Sequence, residues 1–282
     1  MPQCFFVSDL HGQLNRYQAL IQKIISERPP AIFMGGDLLP PFNAGWTENF
    51  VRDYLATEFR KLKEILGEDY PRVFLILGND DGRNDEKDLI SIMVDDKIWE
   101  YIHNRSVKFD SYTVFGYSYV PPTPFLNKDW ERYDISRYVD PGCIPPEDGK
   151  HSEEQPPNLI HNATIKQDLD DLIGDKNLSR SIFLFHTPPY QTKLDRAALD
   201  GKMIDHVPLD CHVGSIAVKN MILEREPLIT MHGHVHESAR ITGSWKDMLG
   251  KTNMFSAAHD GPELAVVIFD PDNPRKAKRA LC

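Results

Sequence analysis

The sequence predicts an α/β fold in which strands and helices alternate along the chain, and three observations carry that expectation. Short apolar runs recur at Gln3–Val7, Ala31–Met34, Val73–Leu77, Ser181–Phe185 and Leu228–Met231, each closed by a polar or glycine-rich turn. Segments with helical spacing of apolar residues separate them. The runs are continuous rather than alternating, as expected of strands covered on both faces, so the pattern alone implies a parallel sheet with helices on its faces.

Element by element, Gln3–Val7 forms the first strand, and Leu14, Tyr17, Leu20, Ile21, Ile24 and Ile25 fall on one face of a helix that Pro29 and Pro30 end. Ala31–Met34 is a buried strand closed by Gly35-Gly36-Asp37, and a second amphipathic helix lies between Glu48 and Leu66. Pro71 opens the strand Val73–Leu77, which runs into Gly78-Asn79-Asp80-Asp81-Gly82. Tyr112, Phe115, Tyr117 and Tyr119 have the spacing of strand packing. From about 118 to 160 the pattern gives way to proline clusters, an insertion that is either a lid over a site or a surface excursion. Ile165–Ile173 is helical, and Ser181–Phe185 is a strand ending in His186. A helix around Ser215–Leu223 precedes the strand Leu228–Met231, which ends in His232-Gly233-His234-Val235-His236. Met254–Ala257 and Leu264–Phe269 are expected to pair as a final antiparallel hairpin or meander.

Bulk properties narrow the function. The 282 residues, 41% of them hydrophobic, suffice for a sizeable core, and the chain is expected to form a single domain over 1–282. No apolar run reaches membrane-spanning length and the start lacks a basic, cleavable leader, so a cytoplasmic protein is expected. Four scattered cysteines without a C-x-x-C pair fit a reducing compartment and weigh against a structural zinc site. The formal net charge of -10 weighs against a nucleic-acid partner, and the one basic cluster, Arg275–Arg279, is expected to be a solvated tail. A small phosphorylated substrate stays compatible, because bound cations would invert the local potential.

The chemistry sits at the strand ends. Asp9 and His11 leave the first strand two residues apart, and in extended backbone such a pair points to the same side. Taken alone, Asp9 could equally cap the following helix. Asp37, Asn79, His186, and His234 with His236 follow four further strands, so five turns bring donors to one rim. This nitrogen and oxygen mix suits Mn, Fe, Zn or Co more than Ca.

In the order D-x-H, G-D, G-N-x-D, a later His and G-H-x-H, the chain resembles the calcineurin-like metallophosphoesterase superfamily over nearly its whole length, the proline-rich insertion excepted. The resemblance implies two packed mixed β-sheets, a β-sandwich flanked by α-helices, in place of one open sheet. It also implies two divalent ions, with Asp9, His11, Asp37 and His236 on one, and Asp37, Asn79, His186 and His234 on the other. Asp37 would bridge them. Such a centre hydrolyses phosphate esters by attack of metal-bound hydroxide. The chain departs from the pattern at Asp80, where many members carry a His that helps protonate the leaving oxygen. Asp80, Asp81 and His232 are therefore the catalytic candidates beside Asp37 and Asn79, and the missing His tilts the expectation towards phosphodiesters. Arg83 could orient a phosphate or form a surface ion pair. His151, His161, His206 and His212 are expected to be solvated loop histidines. The competing class is a protein-interaction scaffold of the same fold, with the insertion as its surface.

Overall fold

The computed structural model describes residues 3–41 and 49–282. Strands β1 (Cys4–Val7), β2 (Ala31–Gly35), β3 (Arg72–Ile76) and β4 (Glu100–Tyr101) run parallel in one sheet. Two C-terminal strands, β13 (Ala265–Phe269) and β14 (Lys278–Leu281), extend that sheet antiparallel beyond β1, giving the order β14-β13-β1-β2-β3-β4. The second sheet has the order β11-β12-β10-β7-β6-β5, formed by β5 (Arg105–Phe109), β6 (Tyr112–Tyr117), β7 (Ser181–Phe185), β10 (Ile229–His232), β11 (Lys246–Leu249) and β12 (Thr252–Ser256). Its four central strands, β6, β7, β10 and β12, are parallel and its two edges antiparallel. A small hairpin of β8 (Met203–Ile204) and β9 (Val207–Pro208) stands apart from both.

The single open sheet expected from the pattern is therefore two packed mixed sheets, as the resemblance implied. The division explains the continuous apolar runs. Cys4, Phe6, Phe33, Phe74, Ile76, Ile182, Leu184, Met231, Phe255 and Phe269 meet between the sheets. Phe5, Val7, Ile32, Met34, Val73, Leu75, Phe183 and Phe185 face the other way, into a cluster with helical residues such as Leu20, Ile24, Phe59, Leu169 and Val218. Both faces of each central strand are covered, one by a sheet and one by helices. The helices α1 (Leu14–Glu27), α2 (Ala56–Leu66), α3 (Glu86–Asp95), α5 (Ile165–Ile173) and α6 (Ile216–Arg225) do the covering, with the shorter α4 (Pro157–Asn162) and α7 (Ser238–Thr242) in loops. The expected helix start at Glu48 lies outside the described residues; a wide turn at Phe50–Leu55 leads into α2.

Two expectations at the C-terminal end are corrected. β12 and β13 lie in different sheets and do not pair, because β12 extends the parallel run beside β10 while β13 closes antiparallel on β1. The basic cluster is solvated at Arg275, Lys276 and Lys278 as expected, but it is no loose tail: Lys278 and Arg279 belong to β14, and the half-buried Arg279 donates to the carbonyl of Ala258. In β14 the middle residues Arg279 and Ala280 are half-buried, while Lys278 and Leu281 are exposed.

The 118–160 segment is neither an open lid nor a decorative excursion. Trp130 and Tyr133 are buried, and isolated bridges tie Val120 to Glu131, Asn127 to Lys150 and Tyr133 to Thr164. At its centre the ammonium of Lys128 and the carboxylate of Glu131 pair with no side-chain exposure, and Lys128 Nζ also donates to the carbonyl of Thr123 at 2.9 Å. Burial pushes the lysine down and the glutamic acid up to about 7, their mutual attraction opposing both. Removing one partner strands a buried charge. Lys128→Met is expected to destabilise the fold by about 3–5 kcal/mol in urea denaturation, and adding Glu131→Leu should recover most of that loss.

Candidate metal centre

Asp9, His11, Asp37, Asn79, His186, His234 and His236 all sit on turns that follow the carboxyl ends of β1, β2, β3, β7 and β10. The first three of these strands are neighbours in one sheet, the other two in the second, and β2 and β3 pack on β7. One rim of the sandwich thus collects donors from both layers.

The local geometry differs from the expected strand pleat. β1 ends at Val7, and Asp9 and His11 both adopt left-handed backbone, φ 58° and 48°; Asp37 and His234 do the same at φ 50° and 72°. The convergence of Asp9 and His11 comes from a tight turn, pinned where Asp9 N, His11 N and Gly12 N donate to the carbonyls of Gly36, Asp37 and Leu38. Asp9 caps no helix, since α1 starts at Leu14 after Gln13. Glycines open the space between turns: a Cβ on Gly36 would stand 2.6 Å from His186 Nδ1, and one on Gly233 2.8 Å from Asp9 Oδ2.

Asp9, His11, Asp37 and His236 each offer a ligand atom, all within 4.8 Å of one another. His236 Nε2 is 3.2 Å from both Asp9 Oδ1 and His11 Nε2. Alongside, His186 Nε2 lies 3.1 Å from Asp37 Oδ2 and 3.0 Å from Asn79 Oδ1, and the ring of His234 packs edge-on against His186 at 5.3 Å between centroids. His186 Nδ1–H donates to the carbonyl of Gly35 at 2.8 Å, which turns the other ring nitrogen towards Asp37. Asp37 Oδ2 faces both groups, 3.9 Å from His11 Nε2. Two buried carboxylates, four imidazoles and an amide oxygen make a donor set that fits borderline divalent metals.

Electrostatics follows from burial and pairing. Burial acts to raise the carboxyl of Asp9, but the hydrogen bond and charge of His236, with His186 and His11, hold it far below the usual range. Asp37, likewise opposed by burial, is held at about 2 by His186 and His11. Burial would lower His186 and His236, yet the carboxylates lift them to about 10 and about 9. Burial and the charge of His186 push His234 down to about 3. Asp80 is raised to about 7, first by the charge of Asp37 and then by burial; its Oδ2 lies 3.6 Å from His11 Nδ1 and its side chain is 37% exposed, so it faces outward from the cluster.

Other sequence candidates lie elsewhere. The carboxylate of Asp81, fully buried, accepts from the backbone amides of Leu38, Leu39 and Gly78, so it ties two turns together and does not face the cluster. His232 is sealed in β10: its Nδ1–H donates to the carbonyl of Thr187, its Nε2 accepts from Thr230 Oγ1, and its ring stacks on Phe185. Both nitrogens are committed, so His232 does not replace the missing histidine. Arg83 stacks over Trp130 at 4.0 Å, donates to the hydroxyl of Tyr119 and the carbonyl of Asp129, and forms an ion pair with Glu86 at 3.7 Å, one of the two roles expected of it. His212 pairs with the buried Asp195 at 2.8 Å, His151 contacts Pro146 and Gln155, and His161 lies by Glu147. The sequence reading missed Arg16, a buried arginine on α1 that donates to the carbonyls of Asp9 and Gly261. Its signal was available, since Arg16, Leu20 and Ile24 share one helical stripe.

Fold and cluster together define an α/β sandwich with a carboxylate–imidazole centre at its sheet rim. The chain belongs to the calcineurin-like phosphoesterase family, whose model matches residues 4–238. Among solved structures, one with TM-score 0.59 and 15% identity covers 100% of this chain and 99% of its own. TT1561 of Thermus thermophilus is similar at TM-score 0.56 and 17% identity, covering 99% of this chain and 98% of that one. A novel archaeal phosphodiesterase aligns at TM-score 0.48 and 11% identity, over 99% of both chains. No curated protein matches the sequence. Among the described residues no helix is long and apolar enough to cross a membrane.

Imidazoles bind metals only when neutral, so cation uptake at this cluster must displace the protons of His186 and His236. Calorimetric titration with Mn2+ in buffers of different ionisation enthalpy is expected to register proton release at pH 7. Apparent affinity should tighten as pH rises from 6 towards 9, because His236 loses its proton near 9 and His186 near 10.

Proposed function

We propose that this chain is a dinuclear metal-dependent hydrolase of phosphate esters. The observation that carries the reading is the convergence of Asp9, His11, Asp37 and His236, four donors from three separate turns within 4.8 Å. These four would hold one ion, and Asp37, Asn79, His186 and His234 the other. Asp37 suits the bridge because its Oδ2 faces both His11 and His186 while Oδ1 accepts from the amide of Asp80 at 2.8 Å. Bound divalent ions would acidify a water and draw charge from the phosphoryl oxygens.

The protein's own contribution is orientation and proton handling. The Gly35 carbonyl fixes the ring of His186, and the amide of His234 donates to Asp9 Oδ1 at 2.9 Å, so the turn after β10 is locked to the turn after β1. Asp80, with its carboxylate 3.6 Å from His11 Nδ1 and its side chain 37% exposed, is the outward-facing carboxyl beside the cluster, so by position Asp80 is the group to deliver a proton to the leaving oxygen. A carboxyl in place of the usual histidine favours phosphodiesters over monoesters. The substrate is a small phosphorylated compound, and the acidic chain disfavours polyanions. The scaffold alternative keeps one surface, the exposed Phe125, Leu126, Ile135 and Tyr138 of the insertion, although Trp130 and Tyr133 are buried.

Protein loaded in turn with Mn, Fe, Co or Zn is expected to hydrolyse aryl phosphodiesters faster than aryl phosphomonoesters. Asp37→Ala should lose more than the roughly 10–100-fold that removing a supporting residue costs. Equal inertness of wild type and variant with every metal would overturn the reading.

A further inference from the structure

We propose that Asn127, in the proline-rich insertion, is a positioning residue for the metal centre, acting through Asn79; this rests on the reading above. Asn127 Nδ2 donates to the backbone carbonyl of Asn79 at 2.8 Å. On the other side of the same peptide unit, the amide of Asp80 donates to Asp37 Oδ1 at 2.8 Å. The 79–80 peptide is therefore held at its carbonyl by the insertion and at its amide by the bridging carboxylate. That peptide carries two functional side chains: Asn79, whose Oδ1 meets His186 Nε2 at 3.0 Å, and Asp80, beside His11. Rotation of the unit would swing both away.

The insertion grips this turn at a second point. Asp129, fully buried, accepts from the amide of Arg83 at 2.8 Å, and its carbonyl accepts from the guanidinium of Arg83. Residues 127 and 129 thus hold residues 79 and 83, the two ends of one turn. What makes the grip stiff lies behind it. Lys128 N donates to the carbonyl of Lys150 and Lys150 N to that of Leu126, Ser152 donates to Asp129, and the Lys128–Glu131 pair fills the interior of the loop. Of the two grips, only the one from Asn127 touches a residue of the metal cluster. Asn127 is only partly buried and spends its Oδ1 on the amide of Asp129 at 3.3 Å, so removing its side chain loosens the ligand turn without opening the core.

The test is Mn2+ calorimetry on the full chain, comparing wild type with Asn127→Leu and, as a smaller change, Asn127→Ser; Asp9→Asn marks the step that belongs to the other ion. In the Asn127 variants, the step unaffected by Asp9→Asn is expected to weaken about tenfold, the low end for a residue that supports a ligand indirectly. The other step should stay within about twofold, metal-free Tm should fall by no more than about 2–4 °C, and excess Mn2+ should restore diester turnover. Unchanged affinity at both steps would overturn this inference and leave the hydrolase reading standing. Equal weakening of both steps with a larger fall in Tm would overturn it in favour of a structural role. A wild type that takes up none of Mn2+, Fe2+, Co2+ and Zn2+ would overturn both.

Discussion

Two carboxylates, Asp9 and Asp37, are buried within the same rim, and the arrangement of the loops follows from the need to stabilise their charge. An unpaired buried carboxylate is costly, so each must be met by hydrogen bonds or positive charge. Asp9 receives the hydroxyl of Ser8, the amide of His234 and the ring of His236, while Arg16 adds a guanidinium at its carbonyl. Asp37 receives the amide of Asp80 and the ring of His186. These partners come from the ends of β1, β3, β7 and β10 and from α1, so satisfying two charges fixes the relative positions of the turns after β1, β2, β3, β7 and β10. Three of the residues that stabilise the carboxylates, His186, His234 and His236, are also those that would share a cation with them. Folding and metal chemistry therefore make the same demand on the rim.

Much of this was legible in the sequence, for a physical reason. Continuous apolar runs report strands covered on both faces, and polar turns after them report a rim, so the strands Ala31–Met34 and Ser181–Phe185 and the seven metal-ligand candidates could be placed before the structure. Division into two sheets was not, because a residue such as Phe33, facing the second sheet, and Ile32, facing helices, are equally apolar. Partner choice among strands escaped for the same reason: nothing in Met254–Ala257 distinguishes a neighbour in β10 from one in β13. His232 shows the limit for single side chains. Its position beside the G-H-x-H turn resembled that of a catalytic group, yet in a strand with both faces covered its nitrogens were bound to find partners inside. Asp81 and Arg83, polar side chains next to the site, likewise find partners around them, Asp81 in backbone amides and Arg83 in Glu86, Tyr119, Trp130 and Asp129.

The proline-rich segment had the composition of a loop and behaves as part of the wall. Proline clusters remove backbone donors and prevent helix or ladder, but they do not prevent packing when side chains supply the order. Here Trp130, the Lys128–Glu131 pair and Asp129 do so, and each lies within four residues of Asn127. A lid, one of the two readings its composition allowed, would be held by few contacts and free to open; this segment is held through buried charge, and its contact with the ligand turn is correspondingly fixed.

Asp9, His11, Asp37 and His234 occupy left-handed backbone without being glycine, at a cost of about 1 kcal/mol or more each. Asp and His are among the residue types that tolerate this region best, since short polar side chains bond locally. The glycines stand beside them instead, at 36, 78 and 233, where a Cβ would strike His186, Asp37 or Asp9. The division of labour is informative: the ligand residues accept backbone strain so that their side chains turn inward, and the neighbouring glycines give up side chains so that the turns can approach. Neither half works without the other. Alanine at Gly36 would push His186 from Asp37, whereas glycine at Asp37 would relax the turn and remove the group it was built to present. Sequence spacing of the ligands is therefore short of a sufficient description of the site; the glycine between or beside them carries the geometry that makes the spacing count.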